Sequence, residues 1–374
     1  MVIKHVEKEE EAPIHGDILE VVLSHVPLTD LVLASHVSHS WNGAVSSSLR
    51  YYNHPKPWLL YHTQTSRPPY ATTTHAYDPR SDVWIRFEMP SIKYVNVLRS
   101  SYSDLLYMLS PWSFAFSVDS LHLTWQHAPP PSVWRTDPIV AVVGRHVVVS
   151  GGACGLEDDL HAVEIYDIDS GAWTACDFMP SLLRDSAAST WLSVAVDNHK
   201  LFVSEKHSGT TYAFDPVTTN WFGPFEIRPD PKMFYSVIGY SNNRLIVTGL
   251  LGQPENVVGL KIYEVNTQSF NCELIAEMPA CLIEKMKREV FEITSIGVCT
   301  AGNYMYIYNP GEVGEVFVCE VVDGGCRWRS KRNAAANDRR KLYRNVYTCG
   351  QVSVDDLNRA MRLENWRFLE ADSD

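Results

Sequence analysis

Two rhythms of hydrophobic and polar positions divide the chain. From residue 12 to residue 50, apolar side chains recur three and four apart. Ile18, Leu19, Val22 and Leu23 form one stripe, Leu28, Leu31 and Val32 a second, and Val37, Trp41, Val45 and Leu49 a third. This spacing predicts three short helices. Gly16-Asp17 can open the first, with the Asp17 carboxylate suited to the positive end of a helix, and Pro27 ends that helix or opens the next. Three helices of this size bury too little surface to stand alone. Their apolar faces must pack on the next domain of the chain or on another protein. On the residues alone the next domain is the nearer candidate, which would make the helices a cap.

Asn53-His54-Pro55-Lys56-Pro57 reads as a linker, and beyond it the alternation shortens to a period of two. Short β-branched and aromatic runs are broken by Gly, Pro, Asn and Asp. A large ring recurs at Trp84, Trp125, Trp173, Trp221, Phe270 and Trp328, at spacings of 41, 48, 48, 49 and 58 residues. Seven residues earlier stand Tyr77, Val118, Tyr166, Phe214, Tyr263 and Val321, each except the last followed by Asp or Glu. A strand ending at the acid, a tight turn and a second strand near the ring explain this unit. Asp caps free amides, and Pro, as in Tyr77-Asp78-Pro79, fixes φ. The large rings are expected to pack the gaps between adjacent sheets.

Further strand-like pairs lie upstream of several units: Pro138 to Val143 with His146 to Ser150, Trp191 to Val196 with Leu201 to Ser204, and Met233 to Gly239 with Leu245 to Thr248. Four strands in roughly 45 residues, six times over, is the arithmetic of a six-bladed β-propeller. A two-sheet sandwich is the competing mainly β arrangement, and the even spacing of the rings argues against it. A first blade from about Trp58 to Phe87 lacks an inner strand. The run Val346 to Ser353 is expected to supply it and hide an open edge. The tail after Asp355 is expected to form a short helix carrying Leu357, Met361 and Trp366. The division expected is an acidic tail at 1–11, helices at 12–50, a linker at 51–57, a propeller at 58–354 and a tail at 355–374.

Val149-Ser150-Gly151-Gly152, followed by Tyr166-Asp167 and Trp173, resembles a kelch repeat, and Thr248-Gly249 matches it in part. The run from Ile14-His15-Gly16-Asp17-Ile18-Leu19 to Pro27-Leu28, with Asp30-Leu31 and Val37-Ser38-His39-Ser40-Trp41, resembles an F-box, with Pro27 and Trp41 at that family's spacing. His15 stands where the family has its first proline, a residue of the adaptor interface, and Ser38 replaces its usual cysteine. The fold implied is mainly β, a six-bladed kelch-type β-propeller preceded by a small three-helix F-box domain. By this resemblance Ile14, Ile18, Leu19, Val22, Pro27, Leu28 and Leu31 touch a Skp-type adaptor, itself held by a cullin. Leu23, Val37 and Trp41 are then the candidates for the domain's own small core.

Together the two parts resemble the plant F-box/kelch-repeat family over nearly the whole chain. The resemblance implies a non-catalytic substrate-recognition subunit of an SCF-type (cullin–RING) ubiquitin ligase. Its propeller loops would hold a target protein for ubiquitination and proteasomal degradation, and some members of the family direct turnover of phenylpropanoid and flavonoid biosynthetic enzymes. Helices and ring are expected to keep separate cores, so that a charge in place of Leu19 or Pro27 abolishes adaptor binding and leaves the ring folded.

The formal charge of −12 over 374 residues disfavours broad binding to nucleic acid or anionic membranes. A basic stretch from Arg327 to Arg344, with Lys331, Arg332, Arg339, Arg340 and Lys341, reads as a solvated loop, with a nuclear-import signal as the alternative. Eight cysteines without a C-x-x-C pair, an acidic start unlike a secretory leader and no apolar run of membrane length fit reduced thiols in the cytoplasm and/or nucleus. No serine-hydrolase, zinc-protease, phosphate-loop or dinucleotide motif is present. His15, His25, His36 and His39 fall on the helices without Cys or carboxylate at ligand spacing, so neither metal nor cofactor is expected. Glu157-Asp158-Asp159 reads as a solvated loop able to attract a basic patch. Two other functions remain open: a binding scaffold without ligase activity, motivated by His15, and a copper-radical propeller oxidase, for which Tyr, Cys and His residues exist.

Overall fold

The computed structural model describes residues 16–68, 70–88, 96–152, 163–176, 179–184, 186–288, 292–322, 325–334, 343–363 and 367–371. Three helices come first: α1 (Asp17–Ser24), α2 (Leu28–Ser35) and α3 (His39–Tyr51). Gly16 enters α1 at φ 66°, and Asp17 and Glu20 put negative charge in the first turn, where the amides are free. Pro27 precedes α2 at φ −53°. Ser38 caps α3, its Oγ accepting the Trp41 N–H at 3.2 Å. The serine that departs from the F-box pattern thus satisfies an amide that a cysteine would cap less well.

Six antiparallel sheets make up the rest. The first begins with β1 (Pro57–Thr65), β2 (Thr72–Asp78) and β3 (Val83–Glu88). The second holds β4 (Leu98–Arg99), β5 (Leu106–Ser110), β6 (Ser113–Ser117) and β7 (Gln126–Ala128). The third holds β8 (Ile139–Val143), β9 (His146–Ser150), β10 (Val163–Asp167) and β11 (Ala172–Cys176). Short helices α4 (Ser181–Arg184) and α5 (Ala188–Trp191) lead to the fourth: β12 (Leu192–Val196), β13 (Leu201–Glu205), β14 (Thr210–Asp215) and β15 (Asn220–Glu226). The fifth holds β16 (Met233–Ser241), β17 (Arg244–Gln253), β18 (Asn256–Val265) and β19 (Cys272–Glu277). After α6 (Ala280–Lys287), the sixth holds β20 (Gly297–Ala301), β21 (Tyr304–Asn309), β22 (Glu312–Val322) and β23 (Gly325–Arg332).

The chain then returns to its start. β24 (Tyr343–Gln351) pairs with β1, from Pro57 opposite Gln351 to Thr65 opposite Tyr343. After α7 (Val354–Arg362), β25 (Arg367–Glu370) pairs with β3, so the first sheet runs β24-β1-β2-β3-β25. Inner strands β8, β12, β16, β20 and β24 touch one another in that order around an axis. The molecule is a mainly β, six-bladed propeller carrying a three-helix domain. Trp366 lies outside the described residues, whereas Leu357 is buried on α7 and Met361 packs beside it.

The seven-residue spacing read in the sequence has a geometric cause in three blades. Tyr77 faces Trp84, Tyr166 faces Trp173 and Phe214 faces Trp221 as direct partners across a hairpin, with ring centroids 5.5, 5.2 and 4.7 Å apart. Two of these indoles also tie neighbouring blades, Trp84 Nε1 donating to Arg332 O at 2.8 Å and Trp173 Nε1 to Pro129 O at 3.0 Å. Trp125 precedes β7 and packs with Leu98 and Leu106, while Trp328 faces Cys319 instead of Val321. Phe270 is in the turn before β19 at φ 57°, and its ring stacks on Phe225 of the preceding blade at 3.6 Å. Tyr263 pairs instead with Leu274, because this hairpin turns later, with Val265 opposite Cys272 and Asn266 N donating to Asn271 O at 2.9 Å. The basic run corrects in part as well: Arg327 to Arg332 belong to strand β23, with Lys331 on Asp82 at 2.8 Å, while Arg339, Arg340 and Lys341 lie outside the described residues.

The double glycine anchors the third blade. Gly151 and Gly152 have φ 65° and 61°, and a Cβ on Gly152 would come within 2.4 Å of the Asp137 carbonyl. The oxygens of Gly151 and Gly152 accept from Arg135 Nη1 at 3.0 Å and Thr136 N at 2.8 Å. Arg135 is fully buried and meets Glu164 at 3.4 Å. The Glu164 carboxylate also accepts Ser132 N and Oγ, both at 2.6 Å. A buried ion pair of this kind is tolerable because its remaining lone pairs are occupied.

Helices and ring do not keep separate cores. Leu19, Leu23, Leu28, Leu31, Val32, Ala44 and Val45 share one apolar cluster with Trp58, Leu60, Ile85 and Phe87 of the first blade and Leu121 of the second. Val352, Leu357 and Ala360 complete it from the C-terminal segment, and α7 packs on α2. The helices gain on the ring the burial they lack by themselves. Arg80, in the β2–β3 turn, fixes the junction with main-chain hydrogen bonds. Its guanidinium donates to Val26 O, to Ser24 O at 3.1 Å, to Leu23 O at 3.3 Å and to Asn53 O at 3.1 Å. Ser24 O and Val26 O lie past the last helical donors of α1, while Leu23 O also takes the Val26 N–H at 3.2 Å.

Candidate functional site

Docking on the ring sorts the helical residues into two faces. Leu19, Leu28 and Leu31 are at most 2% exposed, so none of these three expected adaptor contacts is available to a partner; the shared core consumes them. Ile18 is 69% exposed and Val22 48%, with Val21 between them also exposed. Positions 18, 21 and 22 lie on one face of a helix. Pro27 is half-buried, and Ile14 and His15 lie outside the described residues. Val37, expected in the domain's core, is 62% exposed. Leu23 is buried as expected of a core residue, and Trp41 is partly buried against the cluster. Leu33 is exposed on α2 beside an apolar groove of about 600 Å³ formed with His36, Met361, Phe368 and Leu369. His36 Nε2 lies 3.3 Å from Asn358 Oδ1, joining α2 to α7.

The propeller axis opens at both ends. The C-terminal ends of inner strands line one mouth, of about 470 Å³, through Val142, Val196, Ser241, Ala301 and Gln351. The starts of the same strands line a wider mouth of about 830 Å³, through Leu98, Pro138, Leu192, Val298 and Val346. Because Pro57 pairs with Gln351, and Trp58 and Val352 belong to the helices' core, the helical domain sits on the side of the narrow mouth. The wide mouth faces away from it, separated by the length of β24, roughly 30 Å for nine residues.

Among the described residues, no group of three His, Cys, Asp or Glu is placed to hold a metal ion. Burial pushes the thiols of Cys349 and Cys319 up, which makes them poor nucleophiles. His62 and His122, to which the sequence reading gave no role, meet at a buried seam between the first two blades. Thr348 Oγ1 lies 3.4 Å from His62 Nε2 and 3.1 Å from His122 Nε2, and burial holds both imidazoles neutral, with His122 down at about 3. Only their alternation-breaking polarity in a strand and a turn could have marked them. The acidic run Glu157-Asp158-Asp159 lies outside the described residues.

Residues 16–53 match the F-box domain family. The chain is 44% identical to the Arabidopsis thaliana F-box/kelch-repeat protein At1g23390 over 96% of its own length and 95% of that protein's. Among solved structures it superposes on a chain of a nidogen/laminin complex with a TM-score of 0.44 and 12% identity, covering 79% of this chain and 99% of that one. On a Bacteroides fragilis protein assigned as a 6-phosphogluconolactonase the TM-score is 0.41 with 9% identity, covering 80% and 99%. An F-box generally binds a Skp-type adaptor, and an F-box joined to a kelch-type propeller is the composition of a substrate receptor in an SCF-type ubiquitin ligase. With 44% identity over 96% of its length to a protein of that kind, the chain belongs to the plant F-box/kelch-repeat family.

Proposed function

We propose that the protein docks a Skp-type adaptor through the open face of α1, with Ile18, Val21 and Val22 at its centre. The wide mouth of the propeller, on the far side, holds the target. The observation that carries this reading is an apolar helical face left in solvent while its opposite face is sunk in the ring's core. An exposed cluster of large aliphatic side chains on one helix marks an interaction surface. The chain makes and breaks no bond itself. Holding a target on one face and the ubiquitin-loaded machinery through the other raises the local concentration of target lysines to about the millimolar range. The work is done in the cytoplasm or nucleus, and the family's phenylpropanoid or flavonoid biosynthetic enzymes are the targets to assay first.

The test is capture of a purified Skp-type adaptor by the full-length chain, against the double substitution Ile18→Asp with Val22→Asp. The wild type should retain the adaptor and the variant should lose it with unchanged thermal unfolding. Adaptor retained by the variant, or never captured by the wild type, would refute the assignment.

A further inference from the structure

The two ends of the axial channel differ in charge. Around the narrow mouth the charged side chains among the described residues are Asp104 and Asp197, with no cation. Around the wide mouth the lining charges among the described residues are Arg99, Lys206 and Arg344, with His207; Glu205 lies near enough to favour the charged form of Lys206, and the lining carboxylate is that of Asp137. That carboxylate is already engaged, accepting Ser189 N at 2.9 Å and Ser189 Oγ at 2.8 Å and meeting Arg99 Nη1 at 3.3 Å. Lys206 Nζ donates to Ser189 O at 2.7 Å, which holds its ammonium at the rim without neutralising it. The Arg344 guanidinium has no hydrogen bond or ion pair with any described residue, and Arg99 lies near enough to repel it. In a chain of net charge −12 this concave, positive mouth is a local reversal of sign. Low-dielectric walls focus such a field onto whatever enters.

We propose that the wide mouth recognises an acidic peptide segment of the target, seating carboxylates against Arg344, Arg99 and Lys206. This rests on the reading that the propeller face opposite the helices is where a target is held. A peptide fits better than a free anion because the cations share the mouth with an apolar anchor. Trp191 is 46% exposed there, its ring 5.6 Å from that of His207. An acidic segment carrying an aromatic or aliphatic neighbour can use both features, whereas an inorganic anion uses only the charge. Burial lowers the Lys206 ammonium to about 8, so it is charged at neutral pH and an anionic partner would raise it.

The experiment is fluorescence anisotropy with the full-length chain and a labelled Gly-Phe-Glu-Asp-Glu-Phe-Gly peptide at low salt. A peptide with lysines in place of the acids serves as control, and inorganic phosphate as competitor. The acidic peptide should bind and the lysine peptide should not. Arg344→Glu should weaken binding by roughly tenfold or more, Trp191→Ala should weaken it too, and affinity should decline as pH rises through 8. Equal binding of both peptides, no binding of the acidic one, full displacement by phosphate, or an unaltered Arg344→Glu variant would each overturn the proposal. Arg344→Gln serves if the charge reversal fails to fold, with the same expectation at smaller amplitude. Adaptor capture is measured on the same samples. Loss of peptide binding with adaptor capture intact isolates this site, and absent capture with intact peptide binding fails the ligase assignment alone.

Discussion

Arg80→Met tests whether the helical domain is held by the propeller as described. The substitution keeps much of the aliphatic stem and removes the guanidinium that donates to Val26 O, Ser24 O, Leu23 O and Asn53 O. Hydrogen bonds from a charged donor contribute about 1.5 kcal/mol each at the low end, so four are worth about 6 kcal/mol gross. Relief of the guanidinium's burial, together with water reaching carbonyls near the surface, returns roughly half, leaving about 3 kcal/mol. The Asp78 turn beneath it, in which Oδ1 accepts Arg80 N at 2.9 Å, uses the Arg80 main chain only and survives. The loss should therefore fall on the junction and not on the ring. Hydrogen exchange resolved by peptide is the assay. Amides of 17–35 should lose about a hundredfold of protection, since each 1.4 kcal/mol is a decade, while the central strands β8, β12 and β16 keep theirs. Unchanged protection in α1 and α2, or uniform loss through every blade, would refute the argument: the first would make Arg80 idle, the second would make it part of the ring's own core.

Leu31→Asp places an unpaired carboxylate at a position with no exposed surface and should cost about 4 kcal/mol or more, whereas Ile18→Asp should stay within about 0.5 kcal/mol in a urea titration. Gly152→Ala drives a Cβ into the Asp137 carbonyl at positive φ and should cost about 2 kcal/mol or more. Gly171→Ala, at φ 69° with only Tyr166 Oη at 3.7 Å, should cost less, about 1 kcal/mol. Acid should destabilise the seam between the first two blades. An unfolded histidine takes its proton near 6.5 and folded His122 near 3, so between those values the unfolded chain binds more protons and stability falls with pH. By pH 5 the loss from His122 alone is about 2 kcal/mol, with His62 adding in the same direction, and full stability returns above 6.5. A His122→Gln variant should show a flatter pH profile in thermal unfolding, and an unaltered slope would remove His122 as its cause.

What could be read from the chain depended on whether the signal was local. Tyr77 and Trp84, Tyr166 and Trp173, and Phe214 and Trp221 sit opposite each other across tight hairpins, so a fixed spacing of seven survives in the sequence and discloses the blades. Phe270 kept the spacing but not the place, because the hairpin turns later, which passes the pairing to Leu274 and leaves the ring in the turn to stack on Phe225. The helices were legible from period and from Pro27 and Trp41. Which side of each faced the ring was not, because Ile18 and Leu19 are equally apolar neighbours and only the position of Trp58, Leu60 and Phe87 decides between them. Arg80 gave no signal either, since its partners are main-chain carbonyls of residues 23, 24, 26 and 53.

The first sheet takes its innermost strand from 343–351 and its outermost from 367–370. On the ribosome, the strands β1 to β3 thus wait for strands made after the sixth blade. Until Val352, Leu357 and Ala360 emerge, the oily underside of α1 and α2 has no complete seat. A message truncated anywhere before the codons of that inner strand yields a product that is both an open ring and an unseated adaptor module. Pairing of this late segment with β1 and β3 is then the single step that both closes the ring and seats the helices.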